Sequence, residues 1–185
     1  MAGRVHPFTP DALMGAQRDL YDAIAGGPRA QGPQHFALTR DDGSLRGPFN
    51  ALLLAPDLGA ALQDVGAAIR YRGALSDRAR EIAILLVAAH WDSAFEREAH
   101  EAVGAAAGLT DAELFALRAG ETSAFSEDEG LVARVTAALL DGDLDDDLWQ
   151  AASVALGAEV VFELTVLVGY YATLALQLRV FRVEA

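Results

Sequence analysis

The sequence predicts an all-α domain, and three features carry that prediction. From Pro48 onward Ala, Leu and Glu are abundant, and no run shows the strict apolar–polar alternation of a half-buried strand. Gly and Asp recur at helix-length intervals. Three S/T-x-x-E sequences, Ser93 to Glu96, Thr110 to Glu113 and Ser126 to Glu129, have the spacing at which a hydroxyl and a carboxylate cap a helix N-terminus reciprocally.

The elements follow in chain order. An amphipathic segment over Pro10 to Ile24 is the first expected helix, and the stretch "AGGPRAQGPQHFALTRDDGSLRGPFN" after it breaks every period with Gly, Pro and polar residues. A loop of that length in a small domain generally covers something, so it is expected to form one wall of a pocket. Helices are expected near residues 57–72, 77–91, 94–107, 111–119, 127–140, 145–156 and 159–179. Gly108 and Gly142 follow apolar helical patterns, where a left-handed residue closes a helix at least cost as glycine. The run "IAILLVAA" after Glu81 is apolar on every face, which marks a helix buried all round. Leu164 to Leu178 is short for a bilayer and closely follows Glu159 and Glu163, so it too reads as a buried helix. "AREIAILLVAA" and "VFELTVLVGYY" align with Glu81 opposite Glu163, a faint internal echo that fits either a duplicated helical unit or two independent buried helices. With 185 residues the chain fits one domain, an N-terminal helix and loop over 1–45 and a helical core over 46–185.

Composition removes several kinds of chemistry. A net charge of −13, with acidic residues spread from Asp11 to Glu184, disfavours nucleic acid and anionic membranes as partners. All 14 basic residues are arginine, which excludes Schiff-base and P-loop lysine chemistry but leaves side chains that can clamp a carboxylate. With no cysteine there is no thiolate nucleophile, disulfide or thiolate-bound metal. The opening "MAGRVHPFTPDAL" lacks an apolar leader pattern, so a cytoplasmic location is expected.

The chemistry-bearing residues gather in "REIAILLVAAHWDSAFEREAH", residues 80–100. Glu96 and His100 stand four apart and share a helix face, where a carboxylate can orient an imidazole for proton transfer. Glu81 falls about one turn into a buried helix, where it either leaves water or simply faces the helix dipole beside Arg78 or Arg80. His90, Trp91 and Ser93 lie at the break between two helices, where side chains from both termini can line one cavity. His90 can equally cap carbonyls, and no G-x-S-x-G elbow surrounds Ser93. Arg72 and Arg97 are the candidates for holding a substrate carboxylate. His90 and His100 fall on separate helices without a two-histidine metal spacing, so no metal is expected. Every polar residue here also has a sufficient capping or surface explanation, and convergence of Glu81 and His100 on a shared pocket would decide between the readings.

Four blocks in order, "GPFNALLLAPDLG", "REIAILLVAAHWDSAFEREAH", "AAAGLTDAEL" and "ELTVLVGYYATLALQLRVF", resemble the carboxymuconolactone decarboxylase family of the alkyl hydroperoxidase D-like superfamily. In the peroxidase branch a Glu, two cysteines and a His form a relay, and the same spacing here lands on Glu81, Ser93, Glu96 and His100. Both cysteine positions are replaced, so a thiol peroxidase is not implied. The cysteine-free branch is more similar, although Phe95-Glu96-Arg97 stands where that branch often has Tyr-Glu-Trp. The resemblance implies a helical fold, assembly as a trimer or hexamer, and cofactor-independent decarboxylation of a small unsaturated carboxylic acid or lactone. It implies His100 as proton donor oriented by Glu96, with an uncharged Glu81 donating to the developing oxyanion. The alternative is a non-catalytic or ligand-binding helical oligomer on the same fold.

Overall fold

The computed structural model describes residues 3–27, 30, 31 and 36–183, and among these nine α-helices and no β-strand. Pro10 to Ile24 is not one helix. A 3-10 turn over Pro10–Ala12 is separated from α1 (Ala16–Ala25) by Gly15, whose φ of 54° does not continue a right-handed helix. Residues 28, 29 and 32–35 of the following loop lie outside the described residues. The part that is described is fastened by an isolated bridge between Thr39 and Leu45, by Asp42 accepting from Ser44, and by the Tyr21 hydroxyl donating to the Gly43 carbonyl.

Helix α2 (Pro48–Leu52) was not expected from the sequence, because five residues are too few to show a period. The others fall within about two residues of expectation: α3 (Pro56–Tyr71), α4 (Asp77–His90), α5 (Ala94–Ala106), α6 (Asp111–Arg118), α7 (Glu127–Asp141), α8 (Asp146–Ala155) and α9 (Ala158–Phe181). Gly108 and Gly142 adopt positive φ after α5 and α7 as expected.

The three S/T-x-x-E sequences behave differently. Thr110 and Glu113 form the reciprocal capping box. Ser93 and Ser126 make no side-chain cap bond, and the carboxylates three residues on are engaged elsewhere, Glu96 beside His100 and Glu129 with Arg78. Two caps went unread, Ser76 accepting from the Ala79 amide and Asp145 from the Leu148 amide.

The core is built around α4. Residues Ala79 to Ala88 are all buried, as the apolar run predicts, with one face against α7 and α9 and another against α5 and α6. A second apolar cluster joins α1, the loop through Leu38 and Leu45, and α2. Helix α9 is long and apolar enough to cross a membrane by length and composition, yet it touches α2, α3, α4, α7 and α8 and buries Leu164, Leu167, Tyr171 and Leu174 among them. The aligned carboxylates of α4 and α9 do different work. Glu81 is fully buried against His100, whereas Glu163 accepts from the amides of Ala74 and Leu75 and secures the turn before α4.

Candidate active site

Helices α4 and α5 are antiparallel neighbours joined by the short break at Asp92 and Ser93, which sets Glu81 on α4 beside His100 on α5. Close approach is helped by Gly104, one turn beyond His100: a Cβ there would stand 3.7 Å from the Glu81 Cβ and only 2.8 Å from a Leu109 methyl. The result is a buried line of three polar side chains. His100 Nδ1 lies 2.7 Å from Glu81 Oε2, and its Nε2 lies 3.5 Å from Glu96 Oε2. Glu81 is 0% exposed, Glu96 3% and His100 5%. The other Glu81 oxygen, Oε1, makes no hydrogen bond among the described residues, and Arg80 Nε lies 3.8 Å from it. Arg80 is itself held by Asp77 at 2.6 Å.

The hydrogen-bond geometry assigns the imidazole's two edges. The Glu81 carboxyl 2.7 Å from Nδ1 orients the ring and turns Nε2 toward Glu96. Glu81 meets the ring at its Nδ1 edge, and Glu96, expected to orient it, stands on the Nε2 side. Glu81 does not line the cavity beside His100, and it meets that cavity only through the imidazole. The edge of the Tyr171 ring meets His100 with centroids 5.2 Å apart, and Tyr170 meets Tyr171 in the same way.

His100 and Glu96 face a cavity walled by Arg70 from α3, Phe49 from α2, Phe95 from α5, and Tyr170 and Tyr171 from α9. Phe36 closes it from the long loop, with its ring 6.4 Å from that of Phe95, as the covering role expected of that loop requires. The open space measures only about 20 Å³, room for one water molecule.

The other expected binding residues do not converge here. Arg72, at the C-terminus of α3, is exposed, and Arg70 two residues earlier occupies the wall instead. Arg97 points to the surface, 3.8 Å from Asp92. His90 is exposed in a separate cleft beside Arg118 and Asp141. Trp91 and Ser93 line a third cleft, which shares with the His100 cavity only the wall formed by Phe95. Arg70 was readable in one respect: it continues the 59, 63, 66 spacing of the buried α3 residues, as Arg72 does not. The aromatic walls at 36, 49, 170 and 171 carry no pattern that distinguishes them from ordinary core.

No protein-family model matches the chain, and no curated protein matches it. What the arrangement can do is set by its chemistry: an oriented imidazole, a carboxylate beside its exchanging nitrogen, and a half-buried guanidinium across an aromatic cavity. Among the described residues, no group of three or more His, Asp or Glu side chains is placed to hold a metal ion.

Proposed function

We propose that the protein is a cofactor-independent decarboxylase of a small unsaturated carboxylic acid or lactone, acting in the cytoplasm by acid/base catalysis. The observation that carries the reading is the convergence of Glu81, His100 and Glu96 in a buried line that ends at the Arg70 cavity. Capping alone accounts for none of the three, since Glu96 makes no capping box with Ser93 and Glu81 is bonded to an imidazole.

In the proposed step the bond from the α-carbon to the carboxylate breaks, carbon dioxide departs, and the electron pair passes into the conjugated carbonyl. Arg70 faces the oxygen that gains the charge, where a fixed guanidinium lowers the barrier because the charge develops only in the transition state. His100 Nε2 then protonates carbon, and Glu96 returns a proton to the imidazole from solvent, so one proton is consumed for each carbon dioxide released. Glu81 positions the ring throughout. A substrate of this class is larger than the present cavity, so binding requires Phe36 or Phe95 to change rotamer.

That small volume favours a second reading, in which the cluster ties α4 to α5 and the protein is a non-catalytic helical oligomer. The deciding assay is carbon dioxide release from 4-carboxymuconolactone and a panel of related unsaturated acids, with wild type beside His100→Ala. Release that falls at least 100-fold in a folded His100→Ala supports the decarboxylase, whereas absence of release from every acid by folded wild type removes it.

A further inference from the structure

We infer that Arg80 is a positioning residue of the same site, and that it decides on which side of the Glu81–His100 hydrogen bond the shared proton lies. Its bearing on catalysis rests on His100 being the proton donor proposed above, whereas the place of the proton can be observed without any reaction. Arg80 is only 7% exposed, and its Nη2 lies 2.6 Å from the carboxylate of the largely exposed Asp77. Its Nε lies 3.8 Å from Glu81 Oε1, and neither atom makes a hydrogen bond among the described residues. The guanidinium thus meets one oxygen of the carboxyl group whose other oxygen, Oε2, is 2.7 Å from His100 Nδ1.

A proton between a carboxyl group and an imidazole can sit in two ways. On Nδ1 it makes a carboxylate and an imidazolium. On Oε2 it makes a neutral acid beside a neutral imidazole whose remaining proton is on Nε2, with no atom gained or lost between the two. Burial favours the neutral arrangement, because the ionic one takes two charges out of water, and Glu81 and His100 are 0% and 5% exposed. A cation held at Oε1, the oxygen that does not bond the ring, attracts the carboxylate more closely than it meets the imidazolium, and so favours the ionic arrangement. Among the described residues Arg80 is the one permanent cation paired with Glu81. The other groups at the ring are Glu96, 3.5 Å from Nε2, whose charge favours an imidazolium too, and the edge of Tyr171.

The two arrangements differ in what His100 can do. An imidazolium that gives up its Nε2 proton becomes a neutral imidazole. A neutral imidazole that gives up the same proton becomes an imidazolate, so it is a far weaker acid. Arg80 therefore holds His100 in the form able to protonate carbon. It does not line the cavity beside His100, so its effect falls on kcat rather than on KM.

The test follows the ring nitrogens of His100 by NMR of the 15N-labelled full chain at neutral pH. The chain has four histidines, and the signals of His100 are those missing from His100→Gln. Wild type should show a protonated Nδ1. Arg80→Met, similar in length but uncharged, should show an unprotonated Nδ1 with the proton on Nε2 as the major form, and Arg80→Gln serves as a second neutral variant in case Arg80→Met does not fold. Arg80→Lys keeps the charge and should retain the wild-type pattern. In a Glu81→Gln background, where the carboxyl group cannot ionise, Arg80→Met should no longer alter the protonation of the ring. In the carbon dioxide assay, kcat of Arg80→Met should fall about 10–100-fold with KM little changed. Absence of release by wild type would remove the decarboxylase and leave the NMR signals to decide for Arg80. The role of Arg80 is overturned if wild type has an unprotonated Nδ1, if the folded neutral variants keep the wild-type pattern, or if Arg80→Lys loses it. It is equally overturned if Arg80→Met still acts in the Glu81→Gln background, or if an active Arg80→Met keeps the wild-type kcat.

Discussion

Replacing Glu81 with alanine tests the energetic core of the site. The substitution removes the carboxylate 2.7 Å from His100 Nδ1 and 3.8 Å from Arg80 Nε, and it leaves two buried polar side chains short of a partner. Removing one member of a buried ion pair costs about 3–5 kcal/mol. An unfolding entropy of about 2.1 cal/mol/K per residue gives about 390 cal/mol/K for this chain, so each kcal/mol lowers the melting temperature by about 2.6 °C. Glu81→Ala should therefore melt about 8–13 °C below wild type in scanning calorimetry. In His100→Ala the Glu81 carboxylate is the stranded group, and the double variant should cost less than the sum of the two singles. The coupling expected of a charge-assisted hydrogen bond is about 1.5–3 kcal/mol. A fall below about 2.5 °C for Glu81→Ala, or strictly additive singles, would refute the view that the two side chains form one buried unit.

Other perturbations address the frame around the site. Gly47 has φ 56° and ψ −141°, and a Cβ there would lie 2.2 Å from the Phe95 ring, so Gly47→Ala should cost about 2–3 kcal/mol by urea denaturation. Adding Phe95→Leu should recover only the part due to the ring. The Arg78 guanidinium, donating to Glu113, holds that carboxyl at about 2 against an ordinary 4.5. A depressed carboxyl stabilises the fold fully above its unfolded value and loses that contribution as pH falls from about 4.5 toward 2. After allowance for its partial exposure, the loss between pH 7 and pH 3 is about 1–2 kcal/mol, and Glu113→Gln should show a correspondingly flatter stability profile over that window. Thr110→Ala should cost about 1 kcal/mol, whereas Ser126→Ala, which removes no cap bond, should change stability by less than about 0.5 kcal/mol.

The helices were legible because their signals are local. An apolar run such as residues 82–89 and a capping pair such as Thr110 with Glu113 act within one or two turns, so the chain states them without knowing its neighbours. The site was legible in its centre for a similar reason: Glu96 and His100 share a helix, and Glu81 heads the helix that pairs with it. Sequence and structure differ wherever a side chain had a choice that tertiary contacts settle. Ser93-x-x-Glu96 has the same spacing as the true capping box, yet Glu96 has an imidazole beside it and leaves the N-terminus uncapped. Arg70 and Arg72 are two residues apart and about 200° apart around α3, so the packing of that helix decides which of them reaches the cavity. His90, Trp91 and Ser93 lie near His100 in sequence, but α5 leads away from the break before it reaches His100, and the residues at the break face other clefts.

The central position of α4 bears on how the chain can be synthesised. Its last residue is His90, and one of its main covers, α9, ends 91 residues later at Phe181. At about 5–20 residues per second a ribosome takes about 5–18 s to make that interval. Throughout it the nascent chain carries the strip of α4 that includes Ala83, Ile84 and Val87 without the surface that finally buries it. Helices α5 and α6 can dock on the opposite side early, since they follow directly. Helix α7 packs on the same cluster and is made earlier, so the emergence of α9 completes the cover of α4.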